Sequence, residues 1–554
     1  MCSAETSAGL AETPDFKISA SQLEKLPPCQ ASCPNSGDIR GWIGIIAQRK
    51  KNGLSLEAAY DKAWLTLAER NPFPASIGRI CPHPCEDLCT RSDKEGAVSI
   101  NAIERFLGDW AIERELPLPV AEKQPCSERV GVVGSGPASL SFAYQMARRG
   151  YPVTVYEQFD VPGGMLRRAI PDYRLPRDVL DAEIQRLLDL DITLETNVDV
   201  GGSISLEELR EKHALLFLGV GAQRARRLGI PGEDGPGVLS GIDYLQDRKT
   251  HKDSMSGKQV LVIGGGNTAI DAARSMRRDG AEVTIVYRRS ESEMPAAGDE
   301  IEAAKAEGVA FRFLLAPTRI VRDDHQVVRR LEAQPMKLGE PDEQGRRKPI
   351  PSGEPSQHLP ADVIVVAVAQ APDWHGMKEL VDSDGWLETD AEGRLAGSLW
   401  AGGDDRGAGL ASAAIAQGRY AAEAAHAELR GLPRTLPETT RKPIDHGSVR
   451  TDYYAEQART PAPHRPADSW LADPETEIDQ TMTDEQVAAE AQRCLSCGLC
   501  FDCQQCFMYC NGAGFTRVEQ TSPGNYFVLA LEACEGCGKC IEICPCGYLE
   551  ARDE

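Results

Sequence analysis

The chain has 554 residues, of which 41% are hydrophobic and 26% are charged, a composition typical of a soluble protein with several domains. It carries 61 basic and 84 acidic residues, and the net charge of −23 argues against nucleic acid and anionic membranes as partners. No apolar run approaches the roughly 18 residues of a membrane span, and the N-terminus has no apolar core for a signal peptide. We therefore predict a cytoplasmic protein of three or more domains.

Cysteine is the outlier of the composition, with 18 residues in two groups and none between Cys126 and Cys494. In a large cytosolic chain such clustering indicates metal binding rather than disulfides. The cysteines of the first group are Cys2, Cys29, Cys33, Cys81, Cys85, Cys89 and Cys126. The second group holds the remaining eleven, from Cys494 to Cys546.

The N-terminal segment, to about residue 125, is predicted to be helical. Residues 55–70 begin with a Ser cap, carry Glu57 in the first turn and repeat apolar residues at helical spacing. The flanking spacings, C-x3-C-P before this helix and C-x3-C-x3-C after it, are not those of zinc fingers. Prolines directly after Cys33 and Cys81 are typical of loops that wrap an iron–sulfur cluster. We therefore predict a helical iron–sulfur domain over residues 1–125.

A dinucleotide-binding fingerprint follows, in the context of strand, helix and strand that it requires. The apolar strand Val130–Val133 leads into a glycine turn and a helix, and a second strand ends on an acid that can bond a ribose hydroxyl. The free N–H groups at the start of the helix suit a pyrophosphate. The candidate ligands of this first nucleotide are Gly134, Gly136, Pro137 and Glu157.

A second fingerprint begins near Lys258, with the positions of its G-x-G-x-x-A motif at Gly264, Gly266 and Ala269. Asn267, directly after the second glycine, is a further candidate ligand of the nucleotide. Its second strand ends not on an acid but on Arg288 and Arg289. An acid there would repel a ribose 2′-phosphate, whereas arginines would pair with it. We therefore predict that this module binds NAD(P)H, with NADP(H) favoured over NAD(H).

The tail contains the pattern C-x2-C-x2-C-x3-C twice, which is the run found in bacterial ferredoxins with two 4Fe–4S clusters. In such runs the fourth cysteine ligates the other cluster, so each cluster takes three cysteines from one run and one from the other. The first tail group is Cys500, Cys503, Cys506 and Cys544, and the second tail group is Cys510, Cys534, Cys537 and Cys540. A run could also begin at Cys494 or Cys497, but only the run from Cys500 has the three-residue gap. Cys494, Cys497 and Cys546 are left over.

Three stretches in this order, GRICPHPCEDLC, SINAIERF and the first fingerprint, resemble the small subunit of NADPH-dependent glutamate synthase and its relatives. These relatives include the N-terminal half of dihydropyrimidine dehydrogenase and flavin subunits of NADH-dependent ferredoxin:NADP oxidoreductases. The resemblance covers roughly residues 25–430. It implies two clusters in the N-terminal domain, but this chain lacks the upstream C-x2-C of the family's first cysteine group. We therefore expect a single N-terminal cluster.

By position, the resemblance assigns that cluster to the N-terminal ligand group, which is Cys33, Cys81, Cys85 and Glu104. A carboxylate is a harder ligand than a thiolate and would shift the potential of the cluster. The other family cluster would retain only Cys29 and Cys89. These two are either relics or a source of a thiolate in place of Glu104.

The resemblance also implies that the first nucleotide is FAD. The loop at Gly163 and Gly164 would lie along the flavin ring, and Asp404, at the end of a returning flavoprotein segment, would bond the ribitol. The second module is then inserted within the first. The predicted fold class is α/β, with a helical iron–sulfur domain, two nested Rossmann-like domains and a ferredoxin-like domain. The predicted bounds are 1–125 for the helical domain, 126–225 with 376–430 for FAD, 226–375 for NAD(P), 431–483 for a connector and 484–554 for the ferredoxin domain.

Two different nucleotides in one chain imply hydride transfer between them. We predict an iron–sulfur flavoprotein with FAD and three 4Fe–4S clusters, an NAD(P)H:acceptor oxidoreductase that exchanges electrons with a ferredoxin or a redox subunit in a hetero-oligomer. A 2-oxoacid:ferredoxin oxidoreductase and a sulfite reductase are candidate partners. One alternative is a glutamate synthase small subunit, against which the added tail argues. A second is a scaffold without catalysis, against which the intact fingerprints argue. Electron bifurcation is a third, and no residue fixes the flavin potentials that it needs.

Overall fold

The computed structural model of the protein describes residues 19–121, 125–248, 255–342, 345–381, 385–434 and 441–552. Residues 1–18 lie outside these ranges. They contain Cys2 and the N-terminal stretch for which the sequence predicted no signal peptide. Within the described ranges, no helix is both long and apolar enough to cross a membrane.

The elements are numbered in chain order. The helices are α1 (Pro28–Ser32), α2 (Ile39–Ala47), α3 (Leu56–Ala68), α4 (Pro74–Ile80), α5 (Pro84–Asp87), α6 (Ile100–Glu113), α7 (Pro137–Ala147), α8 (Gly164–Arg168), α9 (Arg177–Leu188), α10 (Leu206–Lys212), α11 (Gly241–Gln246), α12 (Asn267–Arg278), α13 (Gly298–Ala306), α14 (Ala411–Arg430), α15 (Asp484–Gln492), α16 (Gln505–Tyr509) and α17 (Lys539–Ile543). The strands are β1 (Ala20–Gln22), β2 (Val130–Val133), β3 (Val153–Tyr156), β4 (Ile192–Glu195), β5 (Leu215–Leu218), β6 (Arg224–Ala225), β7 (Val238–Ser240), β8 (Gln259–Ile263), β9 (Glu282–Tyr287), β10 (Ala310–Phe313), β11 (Leu315–Arg322), β12 (Val328–Pro341), β13 (Arg347–Pro351), β14 (Gln357–Pro360), β15 (Val363–Val366), β16 (Gln370–Ala371), β17 (Leu399–Ala401), β18 (Phe515–Ser522), β19 (Asn525–Leu529) and β20 (Leu549–Ala551). Short 3-10 turns lie at Thr90–Asp93, Glu291–Glu293, Lys378–Leu380, His446–Ser448, Thr451–Tyr453, Ala467–Ser469 and Leu531–Ala533.

The N-terminal domain is helical, as predicted. Its longest helices are α3 and α6, and the hydroxyl of Ser55 caps α3 by accepting from the Ala58 N–H at 3.1 Å. Aromatic side chains fill the space between them, with the rings of Tyr60 and Phe106 4.8 Å apart. The described cysteines of this domain lie in or next to the short helices α1, α4 and α5.

The first fingerprint belongs to a five-stranded parallel sheet in the order β17-β5-β2-β3-β4. Its central strands, VGVV and LLFL, are buried along their whole length because the sheet is covered on both faces. One face packs against α7, α9 and α14, and the other packs against α10 and a loop that contains Trp374. Helices α7 and α14 approach closely at Gly418, where an added Cβ would overlap the Ala138 carbonyl oxygen.

The second fingerprint belongs to another parallel sheet, in the order β10-β9-β8-β15-β7. One face of this sheet carries α12 in its core. The other face packs against an antiparallel sheet of β11, β12, β13 and β14. The chain leaves the first module near β6 and returns near β16, and these two strands pair with each other. The insertion of one nucleotide module within the other is therefore visible in the connections.

The tail folds over a hairpin, β18–β19, flanked by α16 and α17. Its last strand, β20, pairs with β1 at the other end of the described chain, with Ala20 opposite Ala551. The sequence did not predict this pairing. It holds the ferredoxin-like domain against the N-terminal domain.

A buried carboxylate joins the N-terminal domain to the first nucleotide module. Glu183 on α9 accepts from the N–H groups of Ala75 at 2.7 Å and Ser76 at 3.0 Å, which are two donors left free at the start of α4. Glu183 is fully buried, and burial raises its pKa to about 7 despite these bonds. The cap therefore fixes the position of α4, which ends at Cys81.

We predict that Glu183 makes stability depend on pH. The pKa of Glu183 in the folded protein lies above that of an unfolded Glu, which is about 4.3. The contribution of Glu183 to the free energy of unfolding is therefore complete below about pH 4.3 and is lost as pH rises through about 7. The shift corresponds to about 3 kcal/mol. Thermal unfolding at pH 5 to 8 should show wild type losing stability relative to Glu183→Gln as pH rises.

Glu207, an exposed carboxylate in the first turn of α10, provides the control. Unfolding midpoints of Glu207→Gln should stay parallel to those of wild type. If Glu183→Gln also runs parallel to wild type across this range, the buried carboxyl does not titrate as described.

Candidate functional site

A cavity of about 390 Å³ lies at the carboxyl ends of the strands of the first sheet. Its wall includes Gly134 and Asp404 from the first nucleotide module, Asn267 from the second and Cys81 from the N-terminal domain. Ligands of open α/β sheets bind at this edge. The cavity is therefore the place where three domains meet.

The phosphate end of the cavity is formed by the turn between β2 and α7. Gly134 has φ +84°, a conformation that favours glycine, and Gly136 caps the start of α7, with Pro137 as its first residue. A Cβ added to Gly136 would meet no protein atom within 4 Å, so this backbone is bare on the cavity side. A Cβ on Gly164 would lie 2.7 Å from the Gly136 Cα, so the two glycine loops pack directly on each other. This bare backbone at a helix start fits a pyrophosphate.

Glu157 stands at the end of β3, on the rim of the same cavity. Its carboxylate accepts from the Ser135 N–H at 2.9 Å and from the Phe159 N–H at 3.0 Å. A carboxylate can accept about four bonds, so an oxygen lone pair is left for a ribose hydroxyl. Ser135, which orients Glu157, was not identified in the sequence because it is an ordinary residue between the two fingerprint glycines.

Asp404 also lines the cavity, shortly before α14 begins. Its carboxylate accepts from the Gly409 N–H at 3.0 Å, and burial raises its pKa above the usual range. The start of α14 also contributes Leu410, Ala411 and Ser412 to the cavity. A polar group beside a helix start fits the ribitol and ring end of a flavin, so the cavity as a whole fits FAD.

The second module enters the cavity through the start of α12. Gly266 caps this helix, and Asn267 and Thr268 line the cavity. The remaining positions of the motif, Gly264 and Ala269, do not line the cavity, and Ala269 is fully buried. Asp271 on α12 forms an ion pair with Arg174 of the first module at 2.8 Å, and burial raises the pKa of Asp271 to about 6. This buried pair fixes the two modules relative to each other at the cavity.

The two arginines after β9 differ in their surroundings. Arg288 is exposed. Arg289 is 6% exposed, pairs with Asp342 at 3.0 Å and donates to the Arg347 carbonyl at 2.9 Å. The structure therefore leaves Arg288 accessible to a cofactor phosphate, whereas Arg289 is held by the β12–β13 hairpin.

The N-terminal ligand group surrounds one cavity of about 30 Å³, as the residues Cys33, Cys81, Cys85 and Glu104 all line it. Glu104 is held by Asn71, whose side-chain amide donates to its carboxylate at 2.9 Å. Burial raises the pKa of Glu104 to about 7 and that of Cys81 to about 12. A positive charge from bound iron would offset this burial. Asn71 is a positioning residue that the sequence did not reveal.

Cys81 connects this group to the flavin-sized cavity, because it lines both spaces. Ser412 at the start of α14 also lines both, and its hydroxyl lies 3.9 Å from the Cys81 sulfur. Only one side-chain layer thus separates the two cavities.

Each tail group also surrounds its own cavity, of about 20 Å³. All four residues of the first tail group line one, together with Cys546, and all four of the second tail group line the other. The structure therefore brings together the residues that the crossed ferredoxin pattern predicts. Cys546 was predicted to be unassigned, and its sulfur lies 3.9 Å from that of Cys544.

Four further cysteines meet at a place for which the sequence predicted no complete ligand set. The bridging cysteines, as we call them, line a cavity of about 30 Å³ between the N-terminal domain and the tail. They are Cys29, Cys89, Cys494 and Cys497. The described cysteines form no disulfide, and no three His, Cys, Asp or Glu residues of the described ranges converge closely enough to hold a single metal ion.

Comparisons with known proteins agree with this arrangement. Residues 128–418 match the pyridine nucleotide-disulphide oxidoreductase family. Residues 23–116 match the family described as dihydropyrimidine dehydrogenase domain II, 4Fe-4S cluster. The two matches cover the nested nucleotide modules and the helical domain, respectively.

Three similar proteins illustrate the range of relatives. The chain is 36% identical over 431 residues to the beta subunit of the NADP(+)-dependent formate dehydrogenase of Moorella thermoacetica, a match covering 71% of this chain and 59% of that protein. It is 32% identical over 427 residues to the small chain of NADPH glutamate synthase of Escherichia coli strain K12, covering 72% and 87%. It is 30% identical over 537 residues to the putative oxidoreductase YgfK of Escherichia coli O157:H7, covering 94% and 48%. The chain thus spans only about half of the length of the first and the third.

We predict that Gly136→Ala lowers the flavin content of the purified protein. The added Cβ enters the space left for the pyrophosphate without touching protein, so folding is unaffected while the ligand is displaced. The ratio of visible flavin absorbance to protein measures this.

Gly298→Ala is the matched control, because a Cβ there also meets no atom within 4 Å but stands on the exposed first turn of α13. Its flavin content should equal that of wild type. A Gly136→Ala protein with full flavin content would show that the turn does not hold the pyrophosphate.

Proposed function

Because the chain belongs to the pyridine nucleotide-disulphide oxidoreductase family and carries an N-terminal 4Fe–4S domain, we propose that it exchanges electrons between NAD(P)H and a redox partner. The observation that carries this proposal is the cavity lined by both nucleotide fingerprints and by Cys81. A bound flavin there would supply the conversion between a two-electron hydride and single electrons. The protein supplies distance and orientation.

The residues that would bind the nucleotides follow from their placement. Gly134, Gly136 and Glu157 hold the phosphates and ribose of FAD, and Gly164 and Asp404 face its other end. Gly264, Gly266, Asn267 and Ala269 form the nicotinamide nucleotide turn, with Arg288 available to the 2′-phosphate of NADP(H). The Arg174–Asp271 pair holds the start of α12 at the flavin-sized cavity, where the helix would present a nicotinamide nucleotide.

Three 4Fe–4S clusters are proposed at the N-terminal ligand group and the two tail groups. Thiolates with hydrophobic surroundings are the ligands that such clusters use. Cys81 brings the first cluster to the edge of the flavin cavity. A set of cysteines that bind clusters instead of forming disulfides also supports a cytoplasmic location.

The surface of the second tail group is suited to a protein partner. Phe507, Met508 and Tyr509 on α16 are 48%, 71% and 55% exposed, directly before Cys510, and Tyr509 lines the cavity of this group. Exposed apolar side chains in one patch mark interaction sites. We therefore propose that a ferredoxin or a redox subunit docks here. Candidates remain a 2-oxoacid:ferredoxin oxidoreductase and a sulfite reductase.

A second candidate function is that of a glutamate synthase small chain, favoured by the 32% identity that extends over 87% of the Escherichia coli protein. The ferredoxin-like tail is an additional electron route that this function does not need. An assay with NADPH, 2-oxoglutarate, glutamine and a large subunit distinguishes the two. Glutamate formation would favour the second candidate.

We predict that Cys81→Ala separates flavin reduction from cluster reduction. In an anaerobic titration, NADPH should still bleach the flavin, since the nucleotide turns are intact. The EPR signal of the N-terminal cluster should vanish, and NADPH should no longer reduce the tail clusters, because Cys81 stands between the flavin-sized cavity and the cavity of the N-terminal ligand group.

Cys126→Ala is the control, because the Cys126 thiol donates to the Arg149 carbonyl instead of facing a cluster cavity. It should behave as wild type. Tail clusters reduced at the wild-type rate in Cys81→Ala would reject the proposed route. A wild-type flavin that NADPH does not bleach would reject the proposed function itself.

We also predict that Arg288→Ala raises the KM for NADPH and leaves that for NADH unchanged. A charge-assisted bond to phosphate is worth about 1.5–3 kcal/mol, which is about 10- to 100-fold in KM. Initial rates with an artificial electron acceptor measure both constants.

Arg319→Ala, which removes an exposed arginine from β11, should change neither constant. Equal effects of Arg288→Ala on NADPH and NADH would show that Arg288 does not read the 2′-phosphate.

A further inference from the structure

The bridging cysteines come from two ends of the chain. Cys29 lies on α1 and Cys89 at the start of a 3-10 turn, whereas Cys494 and Cys497 lie in the loop after α15. All four line one cavity, and none belongs to the three cluster sites proposed above. Their meeting is therefore a product of the tertiary fold and has no role yet.

The space between these thiols has the size of the other cluster sites. It measures about 30 Å³, the same as at the N-terminal ligand group, and the two tail groups enclose about 20 Å³ each. Each of these four cavities lies between four candidate ligands. A group that fits the ferredoxin sites thus fits here as well.

Among the described residues, those that line this cavity include no carboxylate and no histidine. They are apolar except for Thr90, whose hydroxyl oxygen lies 3.4 Å from the Cys497 sulfur, and two buried arginines, Arg40 and Arg91. Four thiolates around iron leave a net negative charge, and buried cations beside it offset that charge. The surroundings therefore suit a thiolate-ligated cluster.

The loop that carries Cys494 and Cys497 is fixed to the N-terminal domain by arginines. Arg40 donates to the Cys497 carbonyl at 2.7 Å, and Arg91 donates to the Arg493 carbonyl at 2.9 Å. Arg493 in turn donates to the Ala97 carbonyl at 2.9 Å and is fully buried. Such bonds on both sides of Cys494 hold its thiol opposite Cys89.

We propose that the bridging cysteines ligate a fourth 4Fe–4S cluster, which connects the N-terminal cluster to the tail. Zinc is the other common thiolate-bound metal, but its four ligands converge at about 2.3 Å from one ion. The described residues show no such convergence, and these thiols instead surround a cavity of ferredoxin-site size.

The position of this site gives it a function. Cys29 is four residues from Cys33, Cys89 is four from Cys85, and Cys497 is three from Cys500. At about 3.6 Å per residue, the site lies within about 14 Å of both neighbouring groups along the backbone. A single electron enters from the reduced N-terminal cluster, and the same electron leaves to the oxidised cluster of the first tail group. No bond or proton changes place, and NAD(P)H supplies the electrons.

The experiment uses the full chain, purified anaerobically, with iron, acid-labile sulfide and zinc measured per protein. Wild type should contain about 16 irons, four for each cluster, rather than about 12. Cys494→Ala and Cys29→Ala should each contain about four irons fewer and lose the same EPR component, although they lie at opposite ends of the chain. NADPH should still bleach the flavin in both variants but no longer reduce the tail clusters, which dithionite still reduces.

Two further variants serve as controls. Cys126→Ala should retain about 16 irons, and Cys494→Ser, which keeps an oxygen ligand, should retain the cluster with a shifted potential. About 12 irons in wild type would overturn the inference, as would one zinc per chain that disappears with Cys494→Ala. The iron content of wild type tests the fourth cluster even if a variant fails to fold. This test is independent of the proposed function, which fails only if NADPH leaves the wild-type flavin oxidised.

Discussion

The position of Cys81 is the constraint on which the arrangement of the domains depends. This residue ends α4 and stands in the wall between the flavin-sized cavity and the cavity of the N-terminal ligand group. It can do so only because α4 is fixed at its other end, where Glu183 caps two free N–H groups from a different domain. The cap is buried and costly to ionise. The protein thus keeps an electrostatically costly contact where it sets the distance between the flavin-sized cavity and the cavity of the N-terminal ligand group.

Buried arginines hold the remaining parts around this junction. The connector after α14, predicted as a segment that follows the surface, is fixed at several points. Arg278 donates to the Pro474 carbonyl at 2.6 Å, Arg79 pairs with Glu477 at 2.7 Å, and Arg105 donates to the Asp479 carbonyl at 2.9 Å. It therefore ties the second nucleotide module to the N-terminal helices. Guanidinium groups suit this role because one side chain can satisfy several carbonyl oxygens at once.

The nucleotide sites show how far local pattern reaches. The strands and glycine turns of both fingerprints lie where periodicity and glycine spacing predicted them, because these motifs are local units that need only their own neighbours. The local pattern did not predict that Arg288 is exposed and Arg289 buried. Two adjacent residues at the end of a strand point in opposite directions. Which of the two is buried depends on where the β12–β13 hairpin packs, and it packs over Arg289. The sequence also did not reveal Asn71 and Ser135. Each of them holds the side chain of another residue, Glu104 and Glu157 respectively, and such a contact is visible only in the folded protein.

The sequence by itself determined the fold class and the two nucleotide modules, because the fingerprints are local patterns. It also predicted the two tail groups, because each cysteine run has a complete local spacing. It did not determine where Cys29, Cys89, Cys494 and Cys497 go. The two halves of this group are separated by about 400 residues, and neither half has a spacing that specifies a complete site. The fold unites them by pairing β1 with β20 and by fixing the loop after α15 with buried arginines. A ligand set divided between the two ends of a chain has no local signature, so only tertiary packing decides it.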